Sequence, residues 1–290
     1  MKKILITGAD SYVGTHVEQY LQQWPERYRT DTVDMTEEGW KNKDFSGYDT
    51  VFHVAGIAHS DAGCVSHSRR AEYFGVNTLL AVETAQKAKA DGVKQFVFMS
   101  SAIVYGDSAP IGENRVITKD TPVSPTSFYG ESKAKAEQGL LPLQDAGFSV
   151  VILRCPMIYG KGCKGNYSKL SGMARRLPCF PLVENSRSML YIDNLSELVR
   201  LLVEDGARGI FWPQNSAYTN TSRMVQLIAA AHGKKMPLAK GFTWALKLLS
   251  HLTGVVNKAF GSLCYDMSLS AYTTDYRCCT LEQSIQLTEK

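Results

Sequence analysis

The chain opens on a short apolar strand that runs straight into a glycine-bracketed turn and then a helix, an order that few folds use. Residues 3–7 supply the buried strand. Val13, Val17, Tyr20, Leu21 and Trp24 then recur at helical spacing until Pro25 stops the helix. Between them lies Gly-Ala-Asp-Ser-Tyr-Val-Gly, residues 8–14. A glycine at the first position permits a tight turn, and one at the last lets the helix pack close to the strand. Amides at the helix N-terminus then face whatever anion sits over the turn. Gly8, Tyr12, Val13 and Gly14 are therefore candidates to cradle a dinucleotide pyrophosphate, with Ser11 standing where the middle glycine of such a fingerprint is expected.

Strand-like and helix-like segments go on alternating through the first half. Residues 30–33, 50–54, 95–99 and 149–153 read as strands. Residues 76–89 read as a helix ended by Gly92, and 129–146 as a helix closed by Gly147. That alternation is the pattern of a parallel sheet covered on both faces. From Cys155 onward the regularity weakens, until residues 187–203 show a strand-then-helix pattern that returns to the sheet. The expected architecture is α/β, a Rossmann-like doubly wound parallel sheet with a smaller interleaved C-terminal substrate lobe. Residues 1–154 with the return segment 187–215 form the dinucleotide-binding part; 155–186 and 216–290 form the lobe. A chain of 290 residues has room for both.

Bulk properties remove several alternatives. A net charge of +4 without a Lys/Arg run argues against nucleic acid as a partner and suits a small anionic ligand. Seven cysteines without a CxxC pair or a His cluster argue against a metal site or a disulfide framework. The apolar start is too short for a signal peptide, so the expected location is cytoplasmic.

Asp34 falls about twenty residues after the glycines, where a carboxylate at the end of the second strand accepts from ribose hydroxyls and repels a ribose phosphate. Asp31 is its rival for the role, and Arg29 is the neighbouring cation that a phosphate would use. NAD(H) is favoured on this ground and NADP(H) stays open. A plain solvated loop aspartate is the alternative.

Tyr129 and Lys133 stand four residues apart, on one helical face. Alone, that spacing means little, because a tyrosine on a core helix is common. Here it follows VFMSSAIVYG, a buried strand ending in Ser100 and Ser101, and VFHVAGIAH at residues 51–59. With the opening turn, the order of these segments resembles extended short-chain dehydrogenases/reductases, the nucleotide-sugar epimerases, dehydratases and ketoreductases. The resemblance spans nearly the whole chain. It implies Ser101, Tyr129 and Lys133 as the catalytic set, Tyr129 being the acid/base. A free phenol titrates near about 10, and an adjacent ammonium lowers it by roughly 1–3 units. The same resemblance implies cofactor contacts from Asp44 and Phe45 beside the adenine, from Ala55 and Gly56 after the third sheet strand, and from Asn77, Ser100 and Pro156. Phe45 reads equally well as core.

On the substrate side, residues 153–167 (LRCPMIYGKGCKGNY) carry Met157 where epimerases and dehydratases of the family often have Asn. With SRSMLYIDNL at residues 186–195 they resemble the branch that reduces 4-keto sugars on UDP. Lys164, Asn166 and Arg187 are the candidates for a nucleotide-sugar diphosphate, Arg because its planar fork donates two parallel bonds. Lys164 as a solvated loop charge is an even alternative. The function expected is NAD(P)-dependent reduction of a nucleotide-bound 4-keto sugar for polysaccharide synthesis. A 4-epimerase is the alternative enzyme, a non-catalytic dinucleotide sensor the alternative of another class, and a homodimer stays open. His59, His67 and His251 have no partner pattern. Residues 242–260 are strongly apolar, but Lys247 and His251 interrupt them, which excludes a span. They read as a lid or packing helix, with an interfacial helix as the other reading.

Overall fold

The computed structural model describes residues 1–57, 67–252 and 254–290; His59 lies outside them. In chain order the strands are β1 (Lys2–Thr7), β2 (Tyr28–Val33), β3 (Thr50–His53), β4 (Gln95–Ser101), β5 (Val116–Ile117), β6 (Ser149–Cys155), β7 (Met157–Tyr159), β8 (Phe180–Pro181), β9 (Met189–Tyr191), β10 (Gly209–Phe211), β11 (Leu238–Ala239) and β12 (Cys264–Tyr265). The helices are α1 (Tyr12–Leu21), α2 (His67–Phe74), α3 (Leu80–Ala90), α4 (Phe128–Leu140), α5 (Asn166–Arg176), α6 (Ile192–Glu204), α7 (Thr221–Ala231), α8 (Thr243–Leu252), α9 (Gly254–Phe260) and α10 (Leu281–Glu289).

Six strands form one all-parallel sheet in the order β10-β6-β4-β3-β1-β2. Side chains on alternate strand positions face opposite ways. Ile4 and Ile6 join Val97, Val151 and Leu153 in one core, under α1 and α6. Leu5 joins Val51, Phe96, Phe98, Val150 and Ile152 in a second, under α3 and α4. Both faces are therefore covered, as the near-continuous apolar strands require. The chain runs from β1 outward to β2 and returns to β3 on β1's other side. That reversal opens a crevice at the carboxyl ends of β1 and β3, the place where such sheets receive ligands.

Several elements differ from the sequence reading. α1 ends at Leu21, before Trp24, and β4 and β6 each run two residues longer. The helix expected at 76–89 begins at His67 and is interrupted by a π-helical turn, Gly75–Leu79, before α3 resumes. The helix expected to reach Ala146 ends at Leu140, because Pro142 opens a tighter turn, Leu141–Leu143. The second strand starts at Tyr28, two residues early. The lobe is stitched by short ladders: β8 with β11, β5 with β12 and β7 with β9.

Candidate active site

The opening turn has the geometry a close-lying dinucleotide needs. Gly8 adopts φ +90°, and a Cβ there would come within 3.0 Å of the Ala55 backbone. Gly8 and Ala55 thus bring the ends of β1 and β3 together as only a side-chain-free residue allows. A Cβ on Gly14 would sit 3.1 Å from both Ile6 and Val54, so α1 rides directly on the strand. Ser11 is the N-cap of α1, with ordinary extended angles, and its hydroxyl accepts from the Gly14 amide at 3.1 Å. Val13 packs against the core from the first turn of α1. Tyr12 reaches towards Gly160, its buried hydroxyl without a hydrogen-bond partner among the described residues.

Beside this turn, Asp34 follows β2 directly, and the β2 carbonyl of Val33 accepts from the Gly8 amide at 2.9 Å. The Asp34 carboxylate is exposed and held below the usual range by the backbone and hydroxyl of Thr36. Asp31 lies mid-strand opposite Leu5 and is engaged by Tyr48 and Arg29. Arg29, opposite Lys3, lies at the start of β2, away from the crevice, so it cannot serve a ribose phosphate as expected. Phe45 is also a correction: its ring is fully buried in the core, with the Lys87 ammonium over it at 5.0 Å. Asp44 is exposed and folds back on Ser46.

A second cluster forms where β4 ends against α4. Ser101 closes β4 and its hydroxyl accepts from the Ile103 amide. Tyr129, in the first turn of α4, brings its phenol into the electrostatic reach of the Ser101 hydroxyl. One turn on, Lys133 is buried and donates to the Met99 carbonyl at 2.8 Å, its ammonium 4.6 Å from the Phe98 ring centroid. A Cβ on Gly56 would lie 3.0 Å from Asn77 Oδ1 and 3.3 Å from Lys133 Nζ, so this loop also needs glycine. Asn77, buried in the π-helical turn, pins that loop. It accepts from the Ile57 amide at 2.8 Å and donates to the Ile57 carbonyl and to Ser132. A π turn at such a position is a recurrent device for aiming a side chain. Pro156, half-buried, follows the end of β6 next to Cys155.

Burial raises the Tyr129 phenol to about 12, with the nearby Ser101 hydroxyl pulling it back. Burial lowers the Lys133 ammonium to about 8, opposed by the charge of Glu137. With Lys133 turned to a backbone carbonyl, burial and not the ammonium sets the phenol, contrary to the expected lowering. His53, at the end of β3, is lowered to about 3 by burial and by Lys133.

Beneath the cluster lies a network the sequence reading missed. Glu137 forms a buried pair with Arg154 at 2.6 Å and also accepts from the Ser100 hydroxyl. Arg154 donates to the Tyr105 hydroxyl at 2.6 Å, and Trp212 donates to the same oxygen. Tyr265 donates to the Arg154 carbonyl. Ser100 thus supports the strand end from below. The signal was in the spacing, since Tyr129, Lys133 and Glu137 recur every four residues on one face of α4.

The substrate-side candidates are dispersed. Lys164 is exposed in the loop after β7, and Asn166, exposed, starts α5. Arg187 is half-buried, bridges Thr219 and Leu263 through its backbone, and reaches the Gly261 carbonyl at 3.5 Å. Among the described residues no His/Cys/Asp/Glu group could hold a metal ion, and no helix is long and apolar enough to cross a membrane.

A parallel sheet with a phosphate turn at its reversal and a Ser-Tyr-Lys cluster at the next strand end defines a dinucleotide-dependent class of enzyme folds. The chain belongs to the NAD dependent epimerase/dehydratase family, whose pattern matches residues 4–211. It is 30% identical over 304 residues to a UDP-glucose 4-epimerase of Vibrio cholerae, covering 95% of this chain and 90% of that protein. Its fold matches that of RMD from Pseudomonas aeruginosa complexed with NADPH, with a TM-score of 0.75 at 18% identity, covering 99% and 98% of the two chains. It also matches a UDP-glucuronic acid 4-epimerase from Bacillus cereus in complex with NAD, with a TM-score of 0.73 at 17% identity, covering 99% and 97%.

Proposed function

We propose that this protein exchanges hydride at C4 of a nucleotide-activated sugar, and that its net reaction is reduction of a 4-keto sugar. The observation that carries the hydride chemistry is the placement of Tyr129 in the first turn of α4, beside Ser101 at the end of β4, with Lys133 buried one helical turn on. The crevice suits a dinucleotide because Gly8, Gly14 and Gly56 let β1, α1 and the β3 loop close up where a Cβ would meet neighbouring protein atoms. That is the tight packing of a phosphate turn at a sheet reversal. NAD(H) is favoured by Asp34, which a ribose phosphate would meet as a like charge. Bound there, the nicotinamide supplies or accepts the hydride.

In the reducing direction Tyr129 gives its proton to the developing alkoxide at C4 while Ser101 donates a hydrogen bond to the same oxygen. The proton is then replaced from solvent. Lys133 keeps positive charge near the phenolate formed in that step. Burial keeps the Tyr129 phenol protonated at neutral pH, the form in which it can donate to the developing alkoxide. Asn77 holds the Gly56–Ile57 backbone that borders the pocket. Lys164, Asn166 and Arg187 are the groups proposed to meet the diphosphate.

Net reduction is supported by Met157, a thioether in place of an amide that would hold the sugar through a full oxidation and re-reduction. Ser11 adds to this, since its hydroxyl occupies the Gly14 amide and leaves one donor fewer for the pyrophosphate. A nucleotide-sugar 4-epimerase is the second reading, supported by the likeness to the Vibrio cholerae relative. Incubation with a UDP-4-keto-6-deoxy-HexNAc and NADH tests the choice. The expected result is one NADH consumed per sugar reduced. Interconversion of UDP-glucose and UDP-galactose without net cofactor use, at a far higher rate, would establish the epimerase instead.

A further inference from the structure

The C-terminal lobe carries a surface that hydride transfer does not use. α8 is apolar on both sides. Ala245 and Leu246 face inward, where with Cys179, Pro181, Ala239 and Phe242 they line a cavity of about 240 Å³. Outward, Trp244 is 71% exposed, Leu248 62% and the preceding Phe242 54%. A water-facing helix side is normally polar, and large apolar groups clustered on a surface mark something they meet.

The surrounding charge identifies the partner's sign. Residues 161–183 and 232–265 contain ten Lys and Arg and no Asp or Glu, in a chain whose net charge is only +4. The two segments lie together in space. β8 pairs with β11, Phe180 packs on Phe260 with ring centroids 5.8 Å apart, and Lys234 donates to the carbonyls ending α5. Lys169, Arg175, Arg176, Lys235 and Lys240 are exposed and form no ion pair with a described residue. The carboxylate of Glu289, packed nearby, is taken up by His232 and Ser171.

We propose that this face docks the protein on an anionic phospholipid bilayer, with Phe242, Trp244 and Leu248 entering the headgroup region and the flanking cations meeting lipid phosphates. A tryptophan on an apolar helix side with lysines around it is the composition that lies in an interface. The cations gain from the negative surface potential of such a membrane. A second copy fits poorly, because a two-fold contact would set like charges against each other.

Co-sedimentation of the full chain tests this, with vesicles of phosphatidylcholine alone and of phosphatidylcholine mixed with phosphatidylglycerol. Binding is expected only with the anionic lipid, weakening as salt rises. The double variant Trp244→Ser/Leu248→Ser and the charge reversal Lys235→Glu/Lys240→Glu should each cut vesicle partitioning by about tenfold or more. Both alter exposed side chains, and turnover of a water-soluble nucleotide sugar should stay at the wild-type rate in each. No binding to anionic vesicles, or binding that the serine variant leaves intact, would overturn the proposal. So would a dimer that the serine variant converts to monomer, which would give the face to a second copy.

Discussion

Around the carboxyl end of β4 the buried polar groups are tied to one another across three elements; the lobe has short ladders and buried bonds of its own, such as those of Asn185 to Thr221 and Gly261, but it also leaves an apolar helix side in water. The Ser100–Glu137–Arg154–Tyr105 chain joins β4, α4 and β6, and Asn77 ties the β3 loop to α4. In the lobe, β8 and β11 share two register pairs, and the neighbouring α8 with the residue before it leaves Phe242, Trp244 and Leu248 in water. One region is preorganised by satisfied hydrogen bonds in a low-dielectric interior. The other has surface to spare for something outside the chain. The contrast separates a part that must hold reacting atoms still from a part that must meet a partner.

The sharpest way to break the contrast is at the reacting atom. Tyr129→Phe removes the transferable proton while keeping the ring, which packs 6.3 Å from Tyr73. Turnover should fall by about 10²–10⁴-fold, with the far-ultraviolet spectrum and NADH binding unchanged. A rate within a few-fold of wild type in steady-state assays would move the acid/base role to another group.

Next in size is the support beneath it. Glu137→Ala leaves Arg154 charged and buried and the Ser100 hydroxyl without its acceptor. Breaking a buried pair in this way costs about 3–5 kcal/mol. Removing Glu282, which pairs with Arg223 where both side chains are about half-exposed, should cost about 0–1 kcal/mol. Urea unfolding of the two variants compares them directly. Equal losses would mean that the β4 network is no tighter than the surface of the lobe.

Legibility in the sequence follows the same divide. Short, near-continuous apolar runs made β1, β3, β4 and β6 readable, the opening turn pointed to Gly8 and Gly14, and the family resemblance implied Ser101, Tyr129 and Lys133. What escaped depends on contacts between elements. The π turn at Gly75–Leu79 answers to Asn77 reaching the β3 loop, which no local pattern encodes. Phe45 was open between adenine and core because burial is decided by α3 packing over it. Nothing local in the sequence pairs Glu137 with Arg154; only strand register sets Arg154 opposite Ser100 and brings the two together. In the lobe, ladders as short as two residues offer too little repetition for any period to show.

The smallest expected effect falls on the opening turn and sharpens the reading of net reduction. Ser11 has φ −70° and ψ 141°, which any residue adopts, so its presence is not forced by the backbone. Its hydroxyl caps α1 by accepting from Gly14 at 3.1 Å. Replacing an N-cap serine by glycine costs only a few tenths of a kcal/mol, because the freed amide is solvated and glycine is itself tolerated there. The same change releases the Gly14 N–H towards the crevice. One more neutral donor to a bound pyrophosphate is worth about 0.5–1 kcal/mol net, hence about two- to fivefold tighter NADH binding by fluorescence titration. Cofactor release should slow by a similar factor. Tighter binding with slower release supports a site whose wild-type form lets the cofactor leave each turnover, as a reductase must. Weaker binding in Ser11→Gly would mean that the hydroxyl itself holds the pyrophosphate, and the turn would then give no support to reduction over epimerisation.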